Sequence, residues 1–158
     1  MIENRSRIIM PFIDPFTPFK TPGPRIIDWK GRNVCASYGM HEDGYDIRLR
    51  DPVKLIAGHT ITALALEHLT VPKNMRVRVD DKSTNLRLGL RVAGRAAPGW
   101  HGHLTLELMY SPILGGPTIL EMPAEWGIAT LEFEYLMTEG DYGDDGKYQG
   151  ATEIQAAR

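Results

Sequence analysis

Hydrophobic and polar residues alternate along three segments of this chain, and each segment is predicted to be a β-strand. The clearest is 103–109, which reads H-L-T-L-E-L-M and has leucine at alternate positions. The same period of two runs through 75–79 (M-R-V-R-V) and 128–135 (I-A-T-L-E-F-E-Y). Because the side chains of a strand point alternately to its two faces, each segment is expected to bury one face and expose the other.

Shorter signals complete an all-β pattern. Residues 60–66 (T-I-T-A-L-A-L) are rich in strand-forming types, and 71–74 (V-P-K-N) form a turn before the next strand. Five prolines within 11–24 exclude a helix and a central strand, so this segment is predicted to be an extended arm. Many short strands interrupted by Gly and Pro, without a long amphipathic helix or an internal repeat, predict an all-β barrel or sandwich.

Composition narrows the function classes. The chain has 158 residues, enough for one domain with a hydrophobic core, and its net charge of -2 gives no basic surface for nucleic acid. The single cysteine, Cys35, excludes an internal disulfide and a multi-cysteine zinc site. No apolar run approaches the roughly 18 residues of a membrane span, and no signal peptide is recognised, so no membrane partner and a cytoplasmic location are expected.

Candidate chemistry is concentrated between residues 80 and 107. Lys82, Ser83 and Thr84 are predicted to begin a short turn or helix, where free backbone N–H groups suit a phosphate. Arg87 follows Ser83 by one helical turn, so both side chains can face one ligand. A loop rich in glycine then leads to the strand that carries Glu107, whose side chain is expected on the polar face, in a groove or a subunit interface.

These residues also carry a family resemblance. The segments K-S-T-x-x-R-x-G-L and P-G-W-x-G-H-x-T-L-E resemble the signature of the dCTP deaminase branch of the dUTPase-like trimeric nucleotide hydrolases. Residues 37–39 (S-Y-G), 44–48 (G-Y-D-I-R) and 146–150 (G-K-Y-Q-G) resemble further segments of that family. Family members usually have a longer insertion after G-Y-D-I-R, so this chain is identified as a shortened member.

The resemblance implies an architecture. It implies a mainly β fold with minor short helices, the dUTPase-like distorted β-barrel or β-clip, assembled as a homotrimer with sites at subunit interfaces. Three regions are expected along the chain. They are a Pro-rich N-terminal arm packed on the domain (1–36), the dUTPase-like β domain (37–139) and a C-terminal lid or tail (140–158) that closes over a bound triphosphate.

The resemblance also implies an activity, the hydrolytic deamination of dCTP or a 5-substituted dCTP to the dUTP-type nucleotide and ammonia. Zinc deaminases need a histidine and two cysteines, which one cysteine cannot supply, so a carboxylate must activate the water. By resemblance Glu107 is this catalytic base, Ser83 orients the water, and Arg87 fixes the glutamate and balances developing charge. Neighbouring positions match nucleotide-contact positions of the family. Those for nucleotide and phosphate are Lys82, Thr84, Tyr142, Lys147 and Tyr148, and those of the base and sugar loop are Val92, Ala93, Ala97 and Trp100.

No protein metal site is expected, because Mg²⁺ would arrive with the triphosphate and be held by its oxygens. Two positions depart from the family, which usually has an acid where Ala97 stands and a glutamine where Ala151 stands. A dUTP diphosphohydrolase, a bifunctional deaminase and diphosphohydrolase, and a catalytically silent nucleotide-binding trimer therefore stay open.

Local alternatives also stay open. Glu107 could be an exposed strand carboxylate paired with a cross-strand base. Asp46 and Arg48, which the resemblance assigns to subunit contacts, could form a surface salt bridge. His101 and His103 are expected to pack at an interface rather than to bind a metal.

Overall fold

The structure is a computed structural model that describes residues 12–157. Residues 1–11, the start of the predicted arm, and residue 158 lie outside the described residues. Within that range the strands are β1 (Ile13–Asp14), β2 (Arg25–Ile27), β3 (Asn33–Cys35), β4 (Gly39–Met40), β5 (Tyr45–Arg48), β6 (Val53–Ile56), β7 (Thr60–Thr70), β8 (Met75–Asp81), β9 (Leu90–Ala93), β10 (Arg95–Ala96), β11 (His101–Tyr110), β12 (Ile119–Met122) and β13 (Gly127–Tyr135). One short helix, α1 (Ser83–Leu88), lies between β8 and β9.

Two antiparallel sheets make up most of the described molecule. One has the order β1-β7-β11-β9 and the other β10-β8-β13-β5-β4, and two-stranded ribbons β6-β12 and β2-β3 lie beside them. Alternation along β11 behaves as the sequence predicts, because Leu104, Leu106 and Leu108 are at most 2% exposed. Fully buried side chains such as Trp126 and Tyr45 fill the core with them. The all-β prediction is confirmed.

The ribbon β6-β12 is a difference from the sequence analysis, which placed no strand between Arg50 and Gly58. In the structure Val53–Ile56 pairs with Ile119–Met122 in antiparallel register. Leu55 and Leu120 are buried, whereas Ile56 and Ile119 are exposed. The ribbon forms because each short segment completes the other's backbone hydrogen bonds. The paired residues are 63 to 69 positions apart in the sequence, so neither segment reveals the pairing alone.

Asp46 and Arg48 do not form a surface salt bridge, so that alternative is wrong. Both residues are buried, at 3% and 7% exposure, and each has other partners. Arg48 donates from its backbone N and its Nε to the two carboxylate oxygens of Glu67, both at 2.8 Å. Its guanidinium also lies 4.3 Å from the centroid of the Tyr38 ring. Burial alone would lower the pKa of Arg48, but the hydrogen bond and charge of Glu67 more than offset it and raise the pKa.

The described part of the N-terminal arm runs along the domain. Ile13 is buried, and β1 pairs with β7 at the edge of its sheet, a place where the following proline is tolerated. Phe16 stacks on Tyr45 with ring centroids 5.5 Å apart. Within residues 12–157, no helix is both long and apolar enough to cross a bilayer.

Candidate active site

Glu107 stands in the middle of a row of small residues. Its register partners are Ala93 on β9 and Thr62 on β7, and all three are exposed on the same face. Arg91, the nearest base along β9, donates from Nε to Asp81 at 3.1 Å. Glu107 makes no hydrogen bond or ion pair to any of the residues that the structure describes, and no base lies directly opposite it. The alternative of a cross-strand ion pair at Glu107 is therefore wrong.

The chain changes sheets directly beside Glu107. Gly94 follows β9, and Arg95 then pairs with β8 of the other sheet. A Cβ on Gly94 would lie 2.9 Å from Leu106 Cδ2, so a larger residue would require the Leu106 side chain to move. The crossing at Gly94 brings Arg95 to the same opening as Glu107.

That opening is a groove of about 810 Å³, hereafter the Glu107 groove. It contains Glu107 and Thr105 from β11, the loop before that strand, and the C-terminal segment. Five residues of the predicted site line it. They are Glu107, Ala97, Trp100, Tyr142 and Tyr148. A smaller groove of about 380 Å³, lined by Arg76 and Arg78, adjoins it and shares Gly94, Arg95 and Ala97.

Residues 141–155, hereafter the tail, pack against β11 of their own chain. Strand β9 pairs with β11 only from Glu107 onward, which leaves the edge at His101–His103 free. The tail takes that edge in parallel orientation: His103 N donates to Ala151 O at 2.7 Å, and Gly150 N donates to His101 O at 2.9 Å. Farther along, Gln155 N donates to Thr105 Oγ1 at 3.0 Å, which carries the tail toward Glu107.

Side chains complete this docking. Trp100 Nε1 donates to Tyr148 O at 2.8 Å, and Gln149 Oε1 accepts from His101 N at 2.8 Å. Gly102, with φ of 143°, lies where a Cβ would be 2.7 Å from Ala151 N, so only glycine allows this approach. Sequence reasoning assigned Tyr142 and Tyr148 to the lid but missed Gln149 and Gly102, although both belong to the quoted motifs.

Helix α1 holds the second group of predicted catalytic residues. Asn85, fully buried, donates to Gly127 O at 3.1 Å and to Ile128 O at 2.9 Å, and it accepts from Trp126 Nε1 at 2.9 Å. The helix is thus fixed to β13, while Ser83 and Arg87 are exposed on its outer side. In the described chain neither residue lines the Glu107 groove. One copy of the chain therefore does not bring Ser83 and Arg87 into the groove that holds Glu107.

Lys82 has a protein partner. Its Nζ contacts Asp46 Oδ2. Thr130 Oγ1 donates a hydrogen bond to Asp46 Oδ1 at 2.6 Å, and His41 Nε2 lies 3.0 Å from the same oxygen. We call these four residues the Asp46 network. Burial alone would raise the pKa of Asp46, but His41 and Lys82 more than offset it and hold the pKa below its ordinary value. The side chain of Lys82 is only 10% exposed beside Asp46, so its ammonium presents little surface to a phosphate in the single chain.

The other predicted contact residues do not line the Glu107 groove. Thr84 is half-buried on α1, Val92 is buried in β9, and Ala93 is exposed beside Glu107. Lys147 is exposed in the tail.

The histidines of β11 meet a third histidine. His103 lies opposite His68 in register with ring centroids 5.3 Å apart, and His101 lies 6.0 Å from His68. Burial, and then the neighbouring His103 and His101, lower the pKa of His68 from 6.5. Residues 12–157 contain no group of three or more His, Cys, Asp or Glu side chains arranged to hold a metal ion.

The chain is similar to curated proteins named dCTP deaminase. One from Herpetosiphon aurantiacus is 27% identical over 170 residues, covering 84% of this chain and 88% of that protein. A protein from Corynebacterium efficiens named dCTP deaminase, dUMP-forming, is 36% identical over 106 residues, covering 63% of this chain and 54% of that protein. No protein-family model matches the chain.

Solved structures that share the fold of this chain include dUTPases. The EIAV dUTPase superposes with a TM-score of 0.53 and 17% identity, covering 68% of this chain and 87% of that one. A dUTPase from phage phi11 of S. aureus, described with a structural Mg(II) ion, gives 0.55 and 16%, covering 61% and 79%. At these identities the likeness concerns the fold, which is the dUTPase-like β fold.

Proposed function

Because this chain belongs to the dCTP deaminase/dUTPase-like family of enzymes, we propose that it hydrolyses the exocyclic amine of dCTP, or of a 5-substituted dCTP. Glu107 carries the proposal. It is the only carboxylate among the described residues that line the groove, and it has no protein partner there. A carboxylate kept unpaired beside an apolar strand is available to take a proton from water.

Glu107 is proposed to act twice in the reaction. It first takes a proton from the water whose oxygen bonds to cytosine C4, and this proton goes to ring N3 as the C4–N3 double bond becomes single. The second water proton then moves through Glu107 to the exocyclic nitrogen. The C4–N bond breaks, ammonia leaves, and the C4 oxygen becomes the carbonyl of the uracil ring. General acid–base catalysis of this kind contributes roughly 10²–10⁴-fold to the rate.

A second copy of the chain is proposed to complete the site. Ser83 and Arg87 are exposed on a rigidly anchored helix that does not line the Glu107 groove of its own chain. In a homotrimer, α1 of a neighbouring protomer would place the serine against the water and the arginine against developing negative charge. The neighbour would also bury Glu107, which is exposed in the single chain.

The tail is proposed to cover the bound nucleotide. Tyr142 and Tyr148 already line the groove, and the backbone of Gly150 and Ala151 is hydrogen bonded to β11. Exclusion of water by such a cover strengthens every charge interaction inside the site. The described residues offer no cluster of three metal-binding side chains, so Mg²⁺ would be held by the phosphate oxygens of the nucleotide. Bound there, it would neutralise phosphate charge.

A dUTP diphosphohydrolase is the second candidate, favoured by the fold shared with dUTPases. The experiment that separates the two follows ammonia and pyrophosphate independently. The purified chain is incubated with dCTP and Mg²⁺, and in parallel with dUTP and Mg²⁺. Ammonia from dCTP without pyrophosphate supports the deaminase. Pyrophosphate from dUTP without ammonia from dCTP overturns the deaminase proposal. If neither product forms, the remaining hypothesis is the silent nucleotide-binding trimer.

A further inference from the structure

Arg95 is a cation that the described chain does not use. It is exposed in β10, immediately after the crossing at Gly94, and makes no hydrogen bond or ion pair with the described residues. It lines the Glu107 groove and also the adjoining smaller groove. Apart from His103, it is the only basic residue among those described as lining the Glu107 groove.

The basic surroundings of Arg95 favour the binding of an anion. Its register partner on β8 is Arg78, and like charges directly opposite each other in a sheet are destabilising. Two carboxylates of β13 lie beyond Arg78 in this sheet. Glu132 is the register partner of Arg78, and Glu134 accepts hydrogen bonds from Nε and Nη2 of Arg76 and has its Oε1 3.3 Å from Arg78. Arg78 therefore has a partner, and Arg95 faces it without one.

Lys82 is poorly placed to supply this charge. It is held by Asp46, and its side chain is only 10% exposed. A substrate that carries several negative charges cannot rest its phosphates on Glu107, because two anions would repel. A cation is therefore needed elsewhere along the same groove, and Arg95 offers a planar guanidinium that can bind two phosphate oxygens at once.

We propose that Arg95 binds the phosphate groups of the nucleotide in the Glu107 groove. The assignment rests on the proposed function, because it takes the cytosine to lie at Glu107 and the phosphates to point toward the sheet crossing. Arg95 is then a binding residue of the substrate and takes no part in proton transfer. It orients the base at Glu107 by holding the opposite end of the molecule.

The test compares Arg95→Met with Arg25→Met, which removes the same charge from an exposed arginine of β2 outside the groove. Titration calorimetry measures binding of dCTP, deoxycytidine and inorganic tripolyphosphate. We expect Arg95→Met to weaken the binding of dCTP and of tripolyphosphate by roughly 10- to 100-fold and to leave the binding of deoxycytidine unchanged. Arg95→Lys should recover part of the loss, and Arg25→Met should match the unmodified chain. In turnover, KM for dCTP should rise while kcat changes little.

Three results would overturn the assignment. They are an equal loss for dCTP and deoxycytidine, a fall in kcat at constant KM, and unchanged binding of both phosphate-bearing probes. Failure of the proposed function looks different. A chain that binds dCTP and tripolyphosphate through Arg95 but releases no ammonia would keep the phosphate site and refute the deaminase. A chain that binds neither dCTP nor tripolyphosphate would refute the phosphate site itself.

Discussion

Two carboxylates of this molecule have opposite surroundings. In the Asp46 network, Asp46 is 3% exposed and is contacted by an imidazole, an ammonium and a hydroxyl. In the Glu107 groove, Glu107 is exposed between Ala93 and Thr62 and has no partner among the described residues. Both carboxylates lie within or beside resemblance motifs, so the motifs alone give them similar weight.

The difference separates residues that maintain the fold from those available to a ligand. A buried charge must be paired, because leaving it unpaired costs far more than its pair contributes. The same logic makes Lys82 a poor ligand for phosphate, since its ammonium is little exposed and is already paired with a buried carboxylate. Glu107 and Arg95 form no ion pair with the described residues, so their charges remain available to a substrate.

The same change, Glu to Gln, should lower activity in the groove and lower stability in the buried interior, and the larger effect is expected at the groove. Glu107→Gln should lower deamination by about 10²–10⁴-fold or more, because the amide cannot take a proton from water. The free energy of unfolding should be unchanged, since no partner is lost. Ammonia release and denaturant unfolding are measured on the same preparation. Near-normal turnover with intact dCTP binding would remove Glu107 from the mechanism.

The matching change in the interior is Glu67→Gln. Glu67 is fully buried and accepts both hydrogen bonds from Arg48, so the variant removes the buried counter-charge of the guanidinium and leaves only Glu125, an exposed carboxylate 3.7 Å away. We expect a loss of about 3–5 kcal/mol in the free energy of unfolding. Turnover per folded molecule should stay close to that of the unmodified chain. A variant as stable as the original would mean that the Arg48–Glu67 pair contributes little.

A smaller effect is expected from Lys82→Met, which separates the two roles assigned to this lysine. If Lys82 serves the Asp46 network, the variant should lose about 1–3 kcal/mol of stability, because Asp46 keeps only His41 and Thr130. Tripolyphosphate binding should then be nearly unchanged, in contrast to Arg95→Met. Loss of phosphate affinity at constant stability would restore the family-derived assignment of Lys82.

The smallest effect concerns pH. The pKa of His68 is lowered in the fold, so between that value and 6.5 the unfolded chain binds more protons than the folded one. His68 therefore contributes stability that is complete above pH 6.5 and is lost as the pH falls through the folded pKa. His68→Gln should flatten this part of the stability profile, whereas the exposed His59→Gln should not. Identical profiles for both variants would assign the dependence to other groups.

The long strands could be predicted because the pattern that indicates each strand lies within its own sequence. In β11 the alternation of leucine with polar residues is complete within 103–109, and the structure keeps it. In β6 the segment V-K-L-I has a single buried residue, Leu55, and its strand depends on a distant partner. The pairing of two strands that are distant in sequence depends on the whole fold, so it cannot be predicted from one short segment.

The candidate site divides in the same way. Residue type and strand face placed Glu107 on the polar face of its strand, and the family resemblance assigned it the catalytic role. The engagement of Lys82 by Asp46 spans 36 residues, and the tail reaches His101 from 48 residues or more away, so neither was visible in the sequence. Arg95 was overlooked because its significance comes from the absence of a partner, which only the arrangement of all its neighbours reveals.

The docking of the tail on β11 makes one backbone amide a measure of how often the tail detaches. The amide of His103 is protected by Ala151 O, whereas the amide of Leu49 is protected by Trp126 O in the core. Deuterium can reach the first whenever the tail lifts, but it reaches the second only when the domain opens. The ratio of the two exchange rates therefore measures how often the groove is uncovered. It does so without substrate, and dCTP should slow the first rate more than the second.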